Sequence, residues 1–400
     1  METMTDTAEN SLIEGIAPKR VQHEQPLSSK EFKPWHTVRK QWVRHEQWRK
    51  ETQKLFLSLN LDGRPLRYLS LPGEDMLDIR ELAECCTEKG LRLKCLGFDE
   101  DARNRTSQIE VNISWNEVSS NIEPHSVILR DNIETLKNTN SQAFSYVNER
   151  GPFDIINLDL CGSISCVNHP DHHQVLNNLC EYQVNHSREP WLLFLTTRAD
   201  KGMVNVNHIS HYLENLKVNA TSFQCFRDRL AEITDFNIHN YDCDAITAAV
   251  EKKCNGKNFV KFFAAGFSKW LLRLTFSSLI SWKVEMLDTC WYRVGPNQNP
   301  NAFPNMLSLA FCFTPLDIAL IDPSGLANSN SGEIIDEKSL AMGILEKTEC
   351  FIDLDCLLDK DTSMYEKLFE RSAYLLKEAR YPVDGYSEWA EAKRIHFDRN

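Results

Sequence analysis

Short, almost unbroken apolar runs alternate along the chain with longer stretches whose apolar residues recur at helical spacing. LRYLSLPG (66–73), LRLKCLGF (91–98), HSVILRD (125–131), FDIINLDL (153–160) and WLLFLTTRAD (191–200) read as five strands. Met76, Ile79, Ala83 and Cys86 share one helical face after the first run. NIETLKNTNSQAFSYV follows the third strand as its helix, and HHQVLNNLCEYQVNH follows the fourth. Ile209, Tyr212, Leu213 and Leu216 stripe one helix after the fifth strand, and Phe223, Phe226, Leu230 and Ile233 stripe another. Strands this apolar are buried on both faces, which requires a parallel sheet with helices on either side. Later, Phe259, Phe262, Phe263, Phe267, Trp270 and Leu271 keep the helical period. Trp282, Val284, Met286, Cys290, Tyr292 and Val294 then alternate as a strand, and MLSLAFCFT (306–314) is the last strand. With only the Pro/Asn-rich turn 295–305 between them, these two strands predict an antiparallel pair.

The expected fold is therefore α/β, a doubly wound, mostly parallel sheet with an antiparallel last strand pair, plus N- and C-terminal helical appendages. Four regions follow. Residues 1–30 are polar and aperiodic and are expected to be flexible; 31–62 form a basic, aromatic helical segment. Residues 63–320 form the sheet domain; 321–400 are a linker, PSGLANSNSG, and a helical appendage.

Composition adds limits. The 400 residues are 42% hydrophobic and 26% charged, ordinary for a globular chain, and the net charge of -12 argues against a surface built throughout for nucleic acid. Thirteen cysteines, an odd number without a CxxC pair, read as free thiols in a reducing cytoplasm. The start of the chain lacks an apolar signal region. Lys261, Lys269 and Arg273 interrupt the longest apolar stretch, so a cytoplasmic protein without a membrane span is expected.

In a doubly wound sheet, ligands lie at the carboxyl ends of the strands. Gly73 ends the first strand, Asp99 the second, Asp131 the third and Asp159 the fourth. A nucleoside cofactor needs close backbone approach after the first strand, which Gly73 permits, and a carboxylate for its ribose hydroxyls, which Asp99 offers. Asp131 and Asn132 are placed to meet an adenine edge. The bland alternative for each acid is a helix cap. The chain contains neither GxGxxG nor GxxxxGK[ST], which argues against a nicotinamide enzyme and a P-loop hydrolase.

The order LPG…GFDED…RDNIETL…FDIINLDLCGS…LLFLTTRAD resembles the class I S-adenosylmethionine-dependent methyltransferases, and within them the tRNA guanine-N2 dimethyltransferase type. That type has a DLDPYGSP-like stretch after strand four, here Leu158-Asp159-Leu160-Cys161-Gly162-Ser163. It has an LLAVTATD-like strand five, here with Thr196, Thr197 and Asp200; the acid and the following Asn-x-x-x-Asn element correspond to Asp99, Asn112 and Asn116. The resemblance implies a Rossmann-like domain over about residues 64–315. It implies S-adenosylmethionine bound by Gly73, Asp99, Asp131 and Asn132, with catalytic Asp159 and Cys161 beside the acceptor. The departures are specific. One glycine stands in the cofactor loop, followed by Glu74 and Asp75, whose charges oppose a methionine carboxylate unless they turn away. Leu160 and Cys161 replace the proline and aromatic residue of the catalytic loop.

Two clusters have competing readings. Cys161, Cys166, His169, His172 and His173 could hold zinc, but their spacing fits no standard site, and a polar loop with an N-cap at Asp171 is favoured; no metal is expected. In the basic segment, Arg39, Lys40, Trp42 and Arg44 could bind phosphates and stack on bases. Alternatively, the tryptophans pack on the sheet and the arginines pair with acids, a reading favoured by the net charge. Trp35, Val38 and Trp42 fall on one helical face. The leading function is methyl transfer to nucleic acid, RNA first. The alternative is a catalytically inactive methyltransferase fold that binds a protein or nucleic-acid partner, a protein partner through the N- or C-terminal helices. A different nucleotide enzyme using the Cys/His loop ranks below both.

Overall fold

The first strand shows how the sheet is specified: Leu66, Tyr68 and Leu69 are fully buried, because neighbours cover β1 (Leu66–Ser70) on both faces and both edges. The computed structural model describes residues 30–100, 105–235, 256–276, 282–295, 302–316 and 336–397. The expectations for residues 1–29 and for the linker PSGLANSNSG lie outside the described residues. From Phe32 onward the chain forms one compact unit.

The other strands are β2 (Leu93–Phe98), β3 (Val127–Leu129), β4 (Ile155–Asp159), β5 (Trp191–Arg198), β6 (Trp282–Met286), β7 (Cys290–Tyr292), β8 (Met306–Pro315) and β9 (Ile352–Asp353). They make one sheet in the order β3-β2-β1-β4-β5-β8-β7-β9, with β6 also paired to β8. β1 to β5 are parallel, in registers such as Tyr68↔Cys95 and Tyr68↔Ile155. β8 runs antiparallel to β5, with Trp191 opposite Phe313 and their rings stacked at 3.7 Å. This is the expected α/β architecture, a Rossmann-like, mostly parallel sheet closed by antiparallel strands. The single strand expected over 282–294 is two strands, β6 and β7, interrupted at Leu287–Thr289, and both lie on β8. β9 was not anticipated, since two residues carry no period.

The helices are α1 (Val38–Trp42), which runs through a π-helical stretch, Val43–Arg49, into α2 (Lys50–Leu55), then α3 (Leu77–Thr87), α4 (Arg105–Val118), α5 (Gln142–Arg150), α6 (His172–His186), α7 (Val206–Ser222), α8 (Gln224–Thr234), α9 (Gly256–Phe276), α10 (Glu337–Glu349), α11 (Leu354–Lys360), α12 (Thr362–Glu378) and α13 (Tyr386–Ala392). Two apolar clusters sandwich the sheet. One joins α5 to α10 through residues such as Leu176, Tyr212, Phe263 and Leu345. The other joins the N-terminal helices, α3, α4 and α11 to α13 through Trp48, Ile79, Leu354 and Leu376. The N-terminal helices and α11 to α13 of the C-terminal appendage thus cover the same face, whereas α10 packs on the other.

Trp35 does not share the apolar face expected for it. Pro34 opens a short 3-10 turn, Thr37 is extended, and the helix starts only at Val38, so Trp35 is left 41% exposed. Among the described residues no helix is long and apolar enough to cross a membrane.

Candidate active site

β1 and β4 are neighbours although two βα units separate them in sequence, so the strand order reverses there and a crevice opens at their carboxyl ends. A cavity of about 490 Å3 lies at this edge, lined by the β1–α3 loop, the ends of β2, β4 and β5, and the N-terminal helix. That volume suits a nucleoside-sized ligand.

The β1–α3 loop holds two left-handed residues, Gly73 at φ 60° and Met76 at φ 52°. A Cβ on Gly73 would meet nothing within 4 Å, so glycine is favoured there by backbone conformation rather than by space. Met76 tolerates the same conformation because it is fully buried under α3. Of the two acids after Gly73, Asp75 is engaged on the protein side. Tyr381 donates to Asp75 Oδ2 at 2.8 Å, and His36 Nε2 lies 3.3 Å from the same atom. Asn157 donates to the Tyr68 hydroxyl at 2.9 Å, and Tyr68 donates to Asp78 at 2.7 Å. Burial raises the Asp78 pKa against that hydrogen bond; burial and the Asp78 charge push the Tyr68 phenol well up.

Asp159 ends β4 with its Oδ1 2.5 Å from Lys40 Nζ. Lys40 also donates to Thr196 on β5 at 3.1 Å and stands 4.6 Å from the Trp48 ring. It is 3% exposed, and burial lowers its pKa although Asp159 works in the other direction. Asp99, 7% exposed, stands at the end of β2 with its backbone N–H bonded to Leu129. The lining holds carboxylates from Glu74, Asp75, Asp78, Asp99 and Asp159 against cations from Lys33, Lys40 and Arg44. This excess of acid suits a ligand with positive charge and opposes a phosphate. Trp35 lines the rim and keeps its ring exposed.

Gly73, Asp99, Asp159 and Cys161 therefore meet around one cavity. Asp131 and Asn132 do not line it. Asn132 caps the 3-10 turn Ile133–Lys137 by accepting from Glu134 N at 2.8 Å and donates to Glu100, while Asp131 accepts from Asn132 N. Here the bland capping reading describes what the side chains do.

Arg39, Lys40, Trp42 and Arg44 are all buried, so the face expected to meet nucleic acid is turned inward. Arg39 pairs with Asp355 at 2.6 Å and donates to the carbonyls of Arg293 and Lys393; Trp42 joins the apolar cluster. The physical reason is charge balance. A cation on a helix packed against a sheet must find an acid there, and this acid-rich chain supplies one. Charge balance demands an acid for Lys40, but which acid it meets is set by the packing. Of the other lining residues, Thr196 belongs to the strand-five resemblance, whereas Trp35 and Tyr292 carried only the apolar pattern of a helix and a strand.

The Cys/His loop divides. Cys161 is exposed at the cavity, and Cys166 is buried. His173 is half-buried, with Nε2 2.9 Å from Ser165 Oγ and 2.8 Å from the Tyr212 hydroxyl, and its partial burial, with His208 beside it, holds its pKa well below the usual histidine range. His169 and His172 instead meet Glu134, a residue absent from the sequence-based cluster.

No curated protein matches the chain. Among solved structures, an rRNA methylase from Streptococcus thermophilus aligns at 10% identity with a TM-score of 0.32, over 72% of this chain and 100% of that one. A family model described as PP_RS20740-like matches residues 29–391, nearly the whole length, and the chain belongs to that family.

Proposed function

We propose that the chain is an S-adenosylmethionine-dependent methyltransferase acting on nucleic acid, with RNA the first acceptor class. The observation that carries this reading is the cavity at the strand-order reversal, where Gly73, Asp99 and Asp159 converge from three strand ends. The residues fit the cofactor. Gly73 holds the loop conformation that brings backbone close, Asp99 is placed for the ribose hydroxyls, and the acidic lining complements a ligand whose sulfonium and ammonium outweigh its carboxylate. Asp75 and Asp78 are held by Tyr381 and Tyr68, which lessens their opposition to that carboxylate.

The bound cofactor supplies a methyl group activated by positive sulfur. The chain's own residues position the acceptor. Lys40 fixes one oxygen of the Asp159 carboxylate, and the carboxylate orients an exocyclic amine by hydrogen bonding. Trp35 offers its exposed ring at the rim, where a flipped base gains about 1–3 kcal/mol by stacking.

Calorimetric titration with S-adenosylmethionine and its demethylated product tests the cofactor site. Micromolar binding is expected, weakened roughly 10²–10⁴-fold in Asp99→Ala, because two charge-assisted hydrogen bonds at about 1.5–3 kcal/mol each are lost. Absence of binding to either compound overturns the reading.

A second reading, binding without turnover, is favoured by one observation: Asp159 is already engaged by Lys40. Cofactor binding with no transfer to RNA or DNA pools would decide for it.

A further inference from the structure

A second group of ligating side chains lies at the same edge of the sheet but outside the cavity lining. Glu134 belongs to the 3-10 turn that follows β3, and His169 and His172 end the loop that follows β4. One donor atom from each lies within 4.8 Å of the other two. We infer that Glu134, His169 and His172 form a site for a divalent ion of the zinc class.

The spacing supports it. Glu134 Oε1 is 2.9 Å from His169 Nδ1 and 3.6 Å from His172 Nε2. Tetrahedral zinc with bonds of about 2.0–2.2 Å puts its donors roughly 3.3–3.5 Å apart, so these separations bracket the required value. The two imidazoles are stacked, with centroids 5.1 Å apart and planes 9° from parallel. Both ligating nitrogens nonetheless approach the same carboxylate oxygen. The frame is fixed at both ends, by the Asn132 cap beneath Glu134 and by α6, which begins at His172.

Nearby charge is compatible. Lys137 is drawn away to Asp171 at 2.6 Å, leaving the Glu134 carboxylate to the histidines. Two imidazoles and one carboxylate select zinc, cobalt or nickel over calcium and magnesium, which require more oxygen ligands. The exposure is graded: the His172 side chain is 12% accessible, Glu134 22% and His169 46%. One side of the group is therefore open to water, as in sites with three protein ligands and a free fourth position. An ion here ties the turn after β3 to the loop that runs from Asp159 and Cys161 to Asp171.

The test uses the full chain, stripped with a chelator and titrated with Co2+ by visible absorption and with Zn2+ by calorimetry. One equivalent is expected, with ligand-field bands and no thiolate charge-transfer band. Binding should weaken at least tenfold in His169→Ala and in Glu134→Gln, and zinc should raise the melting temperature of the wild type but not of the variants. His169 is a surface residue, so its replacement leaves the fold to report on the metal alone. Three results each overturn the assignment: no binding below millimolar metal, equal binding by wild type and variants, or a thiolate band that places the ion on cysteines.

Discussion

Glu81→Ala is expected to lower the free energy of unfolding by roughly 3–5 kcal/mol, because it removes the acid at the centre of a buried ionic cluster. Glu81 is 1% exposed and receives Gln41 Nε2 at 3.1 Å, Arg49 Nη1 at 3.3 Å and Arg371 Nε at 3.0 Å, with His45 Nδ1 at 2.8 Å. It joins three separate pieces of chain: the N-terminal helix, α3 and α12. Removing it deprives Arg49 and Arg371 of their most buried counter-charge, leaving them the more exposed carboxylates of Glu88 and Glu84, and takes the acceptor from Gln41 and His45. Burial alone would raise the Glu81 pKa, but the His45 hydrogen bond and the Arg371 charge bring it to about 2 from an ordinary 4.5. A depressed folded-state pKa stabilises above the unfolded value and ceases to do so as pH falls through the folded one. The wild type should therefore lose this contribution between pH 4.5 and about 2, and Glu81→Ala should not. Urea denaturation at pH 7 and across that acid range measures both, and a loss below about 1 kcal/mol at pH 7 would reduce the cluster to surface pairing.

The Lys40–Asp159 pair should respond asymmetrically. Lys40 is almost wholly buried, whereas the Asp159 side chain keeps 21% of its surface and faces the cavity. Asp159→Ala leaves a buried ammonium with only Thr196 Oγ1 and the Trp48 ring among the contacts described above, and a loss of about 3–5 kcal/mol is expected at neutral pH. Lys40→Met places an apolar chain of similar length beside Trp48 and leaves a carboxylate that water can reach, so a loss of less than about 2 kcal/mol is expected. The pH dependence separates charge from packing. Burial already lowers the Lys40 pKa in the wild type, and losing Asp159 lowers it further. A lysine depressed in the folded state costs stability wherever the unfolded chain is protonated, so the Asp159→Ala deficit should shrink as pH rises toward 10.5. Equal losses in the two variants, independent of pH, would mean the pair acts only through shape. Under the proposed function, Asp159→Asn should also slow methyl transfer by roughly 10²–10⁴-fold while cofactor affinity is retained.

Much of this architecture was legible because burial leaves a periodic trace. The strands at 66–73, 91–98, 153–160 and 191–200 each appear at the expected place, within a few residues, and His172–His186 is the helix expected there. A strand covered on both faces admits almost no polar residue, and such a run is hard to mistake. The break inside 282–294 is marked in the sequence only by Asp288, which stands where the alternation of Trp282, Val284, Met286, Cys290 and Tyr292 calls for an apolar residue, and one polar residue is too slight a signal to split a strand. The site was half legible. Gly73, Asp99 and Asp159 are ends of strands and inherit their position from the sheet. Asp131 and Asn132 end a strand too, but that strand is short and lies at the sheet's edge, and their side chains serve the following turn.

Local sequence could not reveal which distant charges meet. The amino-acid sequence by itself determined the order of the elements, the apolar faces and the acids at the strand ends, since each depends on neighbours within a few residues. Only the tertiary structure decided that Lys40 meets Asp159 across 119 residues and that Arg371 meets Glu81 across 290. It also decided that Glu134 joins two histidines of another loop. A buried charge must find its counter-charge wherever the packed layers place one, and that partner leaves no mark on the residues beside it.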